Sequence, residues 1–103
     1  MKFIRFVVMD SDKAAEVSKV SDKSMASPPP GYKVHAIYAC QGIAYPGVPP
    51  NSIVAISVHE AESNESLSTT SYPLALAGAT VWDVPVLEVA VTGATEVEKK
   101  LRG

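Results

Sequence analysis

Apolar positions recur along this chain with two periods, every second residue and every third to fourth, and the switches between them mark its elements. Residues 2–9 (KFIRFVVM) alternate Ile4, Phe6 and Val8 with Phe3, Arg5, Val7 and Met9, and their β-branched and aromatic content predicts a strand. Asp10, Ser11 and Asp12 supply capping oxygens for a helix running to about residue 25, with Ala14, Val17 and Val20 as its apolar stripe. Ala26-Ser27-Pro28-Pro29-Pro30-Gly31 ends that helix in a stiff, extended connection.

A second strand is predicted over 32–40 (YKVHAIYAC) and a third over 52–60 (SIVAISVHE), joined by the turn-rich segment 41–51. Ser63 or Asn64 starts a second helix, and Pro73 is expected to break it near Tyr72, with a further turn around Leu74 to Ala77. Residues 80–92 (TVWDVPVLEVAVT) read as the last strand, which Pro85 consigns to an edge. Thr95-Glu96-Val97-Glu98 has the spacing of a capping box, and a short closing helix follows, with Lys99, Lys100 and Arg102 near its C-terminus. The resulting order is β-α-β-β-α-β plus a terminal helix, the split βαβ arrangement of an α+β ferredoxin-like sandwich with a four-stranded antiparallel sheet.

Two helices cover only one face of such a sheet. Assigning Ile4, Phe6, Val8, Val54, Ile56, Val58, Leu87, Val89 and Val91 to the helix side leaves Phe3, Arg5, Val7, Met9, His35, Ile37, Ala55, Ser57, His59, Val86 and Glu88 on the open side. That open side is too apolar to face water, and the simplest closed solution is a two-fold homodimer with sheets face to face.

Composition narrows the function classes. The 103 residues make one domain, and nine Lys plus Arg against eleven Asp plus Glu supply no cationic field for a phosphate backbone, so no nucleic acid is expected. Cys40 is the only cysteine, which fits a reducing, cytoplasmic setting. The uncharged stretch between Lys33 and Glu60 is interrupted by Gly42, Pro46, Gly47, Pro49 and Pro50, so no membrane span is expected. A Gly-rich phosphate loop and a CxxC pair are both missing, and no cofactor is expected.

The candidate chemistry gathers on the predicted open face. His35 and His59 would be cross-strand neighbours if the hairpin pairs residue 35 with residue 59, and beside Glu88 they form an acid/base candidate set. The structural alternative pairs Arg5 with Glu88 and leaves the histidines at a dimer rim. No metal is expected, because two His and one Glu lack a close-spaced ligand motif. Arg5, Ser57, Tyr38, Tyr72 and Trp82 are candidate ligand contacts, although Tyr and Trp serve as readily in packing. Cys40 reads more readily as a small buried hydrophobe than as a nucleophile.

Short motifs add a resemblance. Pro29-Pro30-Gly31, Thr70-Ser71-Tyr72-Pro73, Trp82-Asp83-Val84-Pro85-Val86-Leu87 and Thr95-Glu96-Val97-Glu98-Lys99-Lys100-Leu101 resemble a small uncharacterised family within the dimeric α/β-barrel superfamily. The resemblance covers most of the chain and implies a homodimer that binds a small, mostly apolar molecule. The superfamily also holds cofactor-independent oxygenases and isomerases, which would give His59, His35 or Glu88 the part of general base. A purely structural or regulatory oligomerisation domain is the third reading.

Overall fold

The computed structural model describes residues 1–103 and has the expected element order. β1 (Lys2–Asp10) leads through a 3₁₀ turn into α1 (Ala14–Ala26), β2 (Tyr32–Ala39) and β3 (Ser52–Ala61); α2 (Asn64–Leu76), β4 (Thr80–Pro85) and α3 (Ala94–Arg102) follow. All strand pairs are antiparallel, and the sheet order is β2-β3-β1-β4. This is the ferredoxin-like α+β fold, with β1 and β3 central and the proline-bearing β4 at an edge. No helix is long and apolar enough to cross a membrane.

Capping explains where α2 begins and ends. The Ser63 side chain accepts from the Ser66 backbone N–H at 3.1 Å, and Glu65 sits in the first turn, where a carboxylate suits the helix dipole. At the other end Gly78 takes φ 110°, the Ala79 N–H reaches the Leu74 carbonyl and the Gly78 N–H reaches that of Ala75. The predicted break at Tyr72 is absent. Pro73 lies in the last turn, where it removes one hydrogen bond of the ladder, and burial of Ser66, Thr70 and Leu74 along one stripe holds the helix together.

The last strand is shorter than its alternation suggested. β4 pairs with β1 from Thr80 opposite Val8 to Pro85 opposite Phe3, and the Val86 N–H still reaches the Lys2 carbonyl. There β1 runs out, so residues 86–93 have no ladder to join despite their apolar periodicity. Leu87, Val89 and Val91 are exposed, and α3 buries none of its residues.

The faces are the reverse of those the alternation suggested. Phe3, Arg5, Val7 and Met9 lie beneath the helices, where Val7 and Met9 pack with Val17, Leu74 and Ala79, and Phe3 packs with Tyr32 and Ala61. Ile4, Phe6, Val8, Val54, Ile56 and Val58 belong to the open face. At one end of that face Tyr45 of the β2–β3 loop meets Trp82 edge-on, Trp82 stacks on Phe6, and Val8 and Val54 are buried. The other end, around Ile4, Val58 and Val84, is less covered.

Candidate functional site

β1 places Arg5 opposite Ser57 of β3 and opposite Asp83 of β4, so one buried cation lies level with a hydroxyl and a carboxylate on its two neighbours. Arg5 is 2% exposed and His59 is fully buried. Neither charge nor imidazole enters a protein interior without partners, and here each has them. Arg5 Nε donates to Asp83 Oδ1 at 2.9 Å, and Nη2 donates to Thr70 Oγ1 at 2.9 Å, with longer contacts to Asp83 Oδ2 and the Leu67 carbonyl. His59 Nε2 donates to Asp83 Oδ1 at 3.0 Å, and in the tautomer with its proton on Nε2 the Nδ1 atom accepts from the Tyr32 hydroxyl at 2.6 Å.

Asp83 is thus the hub of a network that joins all four strands and α2. Burial pushes its carboxyl pKa up, but hydrogen bonds from His59 and Arg5, together with the Arg5 charge, hold it below the ordinary carboxylate value. Tyr32 moves the other way. Burial raises its phenol against the opposing effects of Thr70 and Arg5, so the hydroxyl keeps its proton for His59.

Beside this network a cavity of about 240 Å³ opens between α1 and the sheet. Its cause is the composition of α1, which buries only Val17 and turns Ser18, Ser21 and Ser24 toward the cleft, too small to fill it. Val17, Met25, Val34 and Leu74 make the walls apolar, and Arg5, Tyr32, Ser57 and Thr70 make one end polar. Arg5 Nη1 makes no hydrogen bond within the protein. Every fully enclosed side-chain nitrogen and oxygen is bonded, so this free N–H pair reaches the cavity. The arrangement is a partly apolar pocket with the buried Arg5 cation on one side and the α1 serines, with the exposed Asp22, on another.

The predicted site residues are dispersed by this geometry. Arg5 and Ser57 come together in the cavity wall. His59 stands behind Tyr32 and does not line the cavity. His35 is not its neighbour, because a β-bulge between Val34 and Ala36 puts Val34 opposite His59 and turns His35 to the surface, 3.0 Å from Glu60. Glu88 lies in the segment after β4 and pairs with Lys2, while the partner expected of it, Arg5, has Asp83 instead. Tyr38 and Tyr72 are exposed, and Trp82 belongs to the open face. No three His, Cys, Asp or Glu side chains converge in a metal-holding group. Asp83, Tyr32 and Thr70 went unrecognised. The available signal was Asp83 as the sole charge in TVWDVP, since one carboxylate in one strand and one cation in another are the simplest mutually neutralising pair.

No family model and no curated protein matches the chain. Among solved structures, that of the C-terminal domain of the MgtC protein from Mycobacterium tuberculosis is similar, with a TM-score of 0.58 at 10% identity, over 80% of this chain and 83% of that one. At that identity the likeness is one of fold, and it extends to the ferredoxin-like sandwich without reaching the dimeric α/β-barrel superfamily. The YXEP protein of Bacillus subtilis, a dinuclear metal binding peptidase from the M20 family, aligns over 98% of this chain and 31% of its own, at 10% identity with a TM-score of 0.36, and carries no weight.

Proposed function

We propose that this chain is a small-molecule-binding domain, and that its ligand has an apolar body ending in a hydrogen-bond-accepting, preferably anionic, oxygen. One observation carries the reading: a cation 98% buried leaves its Nη1 without a protein partner in the wall of a mixed cavity, on which the only other charge is the exposed Asp22 of α1. The cavity volume lies below the usual range for drug-sized pockets, roughly 300–1,000 Å³, so the ligand is small. A carboxylate is the favoured head group, because it accepts charge-assisted hydrogen bonds from guanidinium and hydroxyl donors together. The homodimer and the cytoplasmic setting belong to the same proposal, supported by the apolar open face and by a single free cysteine.

The test is a titration of the labelled protein with octanoate and benzoate, followed by amide NMR shifts. Saturable shifts at Val17, Met25, Tyr32 and Val34 that vanish in a Ser21→Trp variant, whose indole fills the cleft, are the expected result. Shifts that survive Ser21→Trp, or none at millimolar ligand, would overturn the reading.

The hydrogen-bonded series Asp83–His59–Tyr32 favours a second reading, an enzyme of the cofactor-independent oxygenase or isomerase kind. Tyr32 would then touch the substrate as the proton acceptor, its own phenol proton passing to His59 Nδ1 behind it while Asp83 stabilises the resulting imidazolium. Turnover that disappears in Tyr32→Phe while octanoate still binds is the result that separates this reading from the first.

A further inference from the structure

The segment after β4 is an arm without a resting place. Its base is held in line with β4 by the Val86 N–H on the Lys2 carbonyl and by the Lys2–Glu88 pair, so it continues outward from the end of the sheet. Along α3, Ala94, Val97 and Leu101 fall on one face at helical spacing and line a shallow groove with Val89. The Glu98–Arg102 pair flanks that groove, and the Glu96–Lys99 pair lies on the solvated side. α3 buries no residue and has no extensive contact with any strand or other helix.

Two whole-molecule quantities agree. A folded monomer of 10.9 kDa is expected to expose about 5,600 Å². This chain exposes 7018 Å², an excess of about 1,400 Å² over that expectation. Its radius of gyration is 15.3 Å where about 13 Å is usual, and its longest dimension is 46 Å. A stable protein–protein contact buries about 800 Å² on each partner, so the surplus is enough for one.

We infer that the occupant is a second copy of this chain, joined by exchange of arms. Residues 86–103 of each subunit lie across the less covered end of the partner's open face, with Val97 and Leu101 set against Ile4, Val58 and Val84. Both halves of the contact are then on every chain, as a closed two-fold pair requires, and one association covers the two apolar surfaces that a single chain leaves bare. The inference deepens the homodimer part of the proposal and is independent of the cavity, so failure of the octanoate titration leaves it standing.

Sedimentation equilibrium of the full chain and of the double variant Val97→Asp/Leu101→Asp tests it. The full chain is expected at twice its formula mass, and the double variant at the monomer mass with an unchanged far-UV spectrum. In a Cys40→Ser background, Val58→Cys protein mixed with Leu101→Cys protein is expected to form a disulfide-linked heterodimer under mild oxidation. A monomeric full chain, an open-ended series of oligomers, or a dimer that neither loses mass in the double variant nor cross-links would overturn the exchange. The last of these outcomes leaves a pair formed by the sheets alone.

Discussion

The two faces of β1 differ in the direction opposite to the usual rule. The face that carries a full charge, Phe3-Arg5-Val7-Met9, is buried at every position, whereas Ile4 and Phe6 on the other, whose charges Lys2 and Asp10 stand only at its two ends, stay partly exposed. Burial of Arg5 is made possible by Asp83, Thr70 and the Leu67 carbonyl, which satisfy most of its donors, and Asp83 is shared with His59. Charge therefore predicts exposure only where no complementary group is in reach. The apolar face illustrates the converse, since no helix covers it and Ile4, Val58 and Val84 stay partly exposed although they carry no charge.

That contrast breaks most sharply under the same substitution on either face. Val7→Asp puts an unpaired carboxylate among Met9, Val17 and Leu74, and it is expected to cost about 4 kcal/mol or more in urea-induced unfolding. Val84→Asp places the charge on the open face and should leave the native circular dichroism spectrum intact. If both variants unfold alike, the faces are not distinct.

Next in size is Asp83→Ala, which strands Arg5 and His59 and should lower stability by about 3–5 kcal/mol at neutral pH. The pH dependence has a definite sign. A carboxyl whose folded-state pKa is depressed contributes fully above its unfolded value, about 4, and the contribution is lost as pH falls through the folded value. The gap between wild type and Asp83→Ala should therefore narrow as pH falls below the ordinary carboxylate range, and a constant gap would remove electrostatics from the account. Tyr32→Phe leaves His59 Nδ1 without its donor in a buried setting, for a loss of about 1–3 kcal/mol in the same assay. Smallest is Glu88→Gln at an exposed ion pair, expected to leave the thermal midpoint within experimental scatter; a clear drop would give the arm's base a structural weight its exposure does not suggest.

Much of the fold is readable from the residues alone. The period changes near Asp10, Pro28–Gly31, Ser63 and Gly78 delimit β1, β2, β3 and the start of β4 with errors of a residue or two, because caps, prolines and glycines act locally. Face assignment needs information that alternation lacks when both sides of a strand are apolar: Ile4-Phe6-Val8 and Phe3-Val7-Met9 are equally plausible cores, and Arg5 tips the choice the wrong way until Asp83 is recognised as its partner. The arm misleads for a related reason. Leu87, Val89 and Val91 alternate like a strand, but pairing depends on β1, which ends at Lys2. At the site, Arg5 and Ser57 were accessible to sequence reasoning because they share a face on adjoining strands. Tyr32 and Thr70 were not, since one lies beyond a bulge and the other on a helix whose rotation over the sheet is set by packing.

The bulge at His35 works as a frame shift in the strand. Tyr32 and Ile37 are five residues apart, an odd interval that uninterrupted pleating would send to opposite sides, yet both point beneath the helices, opposite Ala61 and Ser57. The extra residue lets β2 be written in two frames, one on each side of His35, with both halves addressing the same interior. Removing His35 would merge the frames and leave the inward set unchanged. Removing Lys33 instead, with the frame beyond it fixed by the hairpin, would carry Tyr32 to the outer surface and take the phenol away from His59.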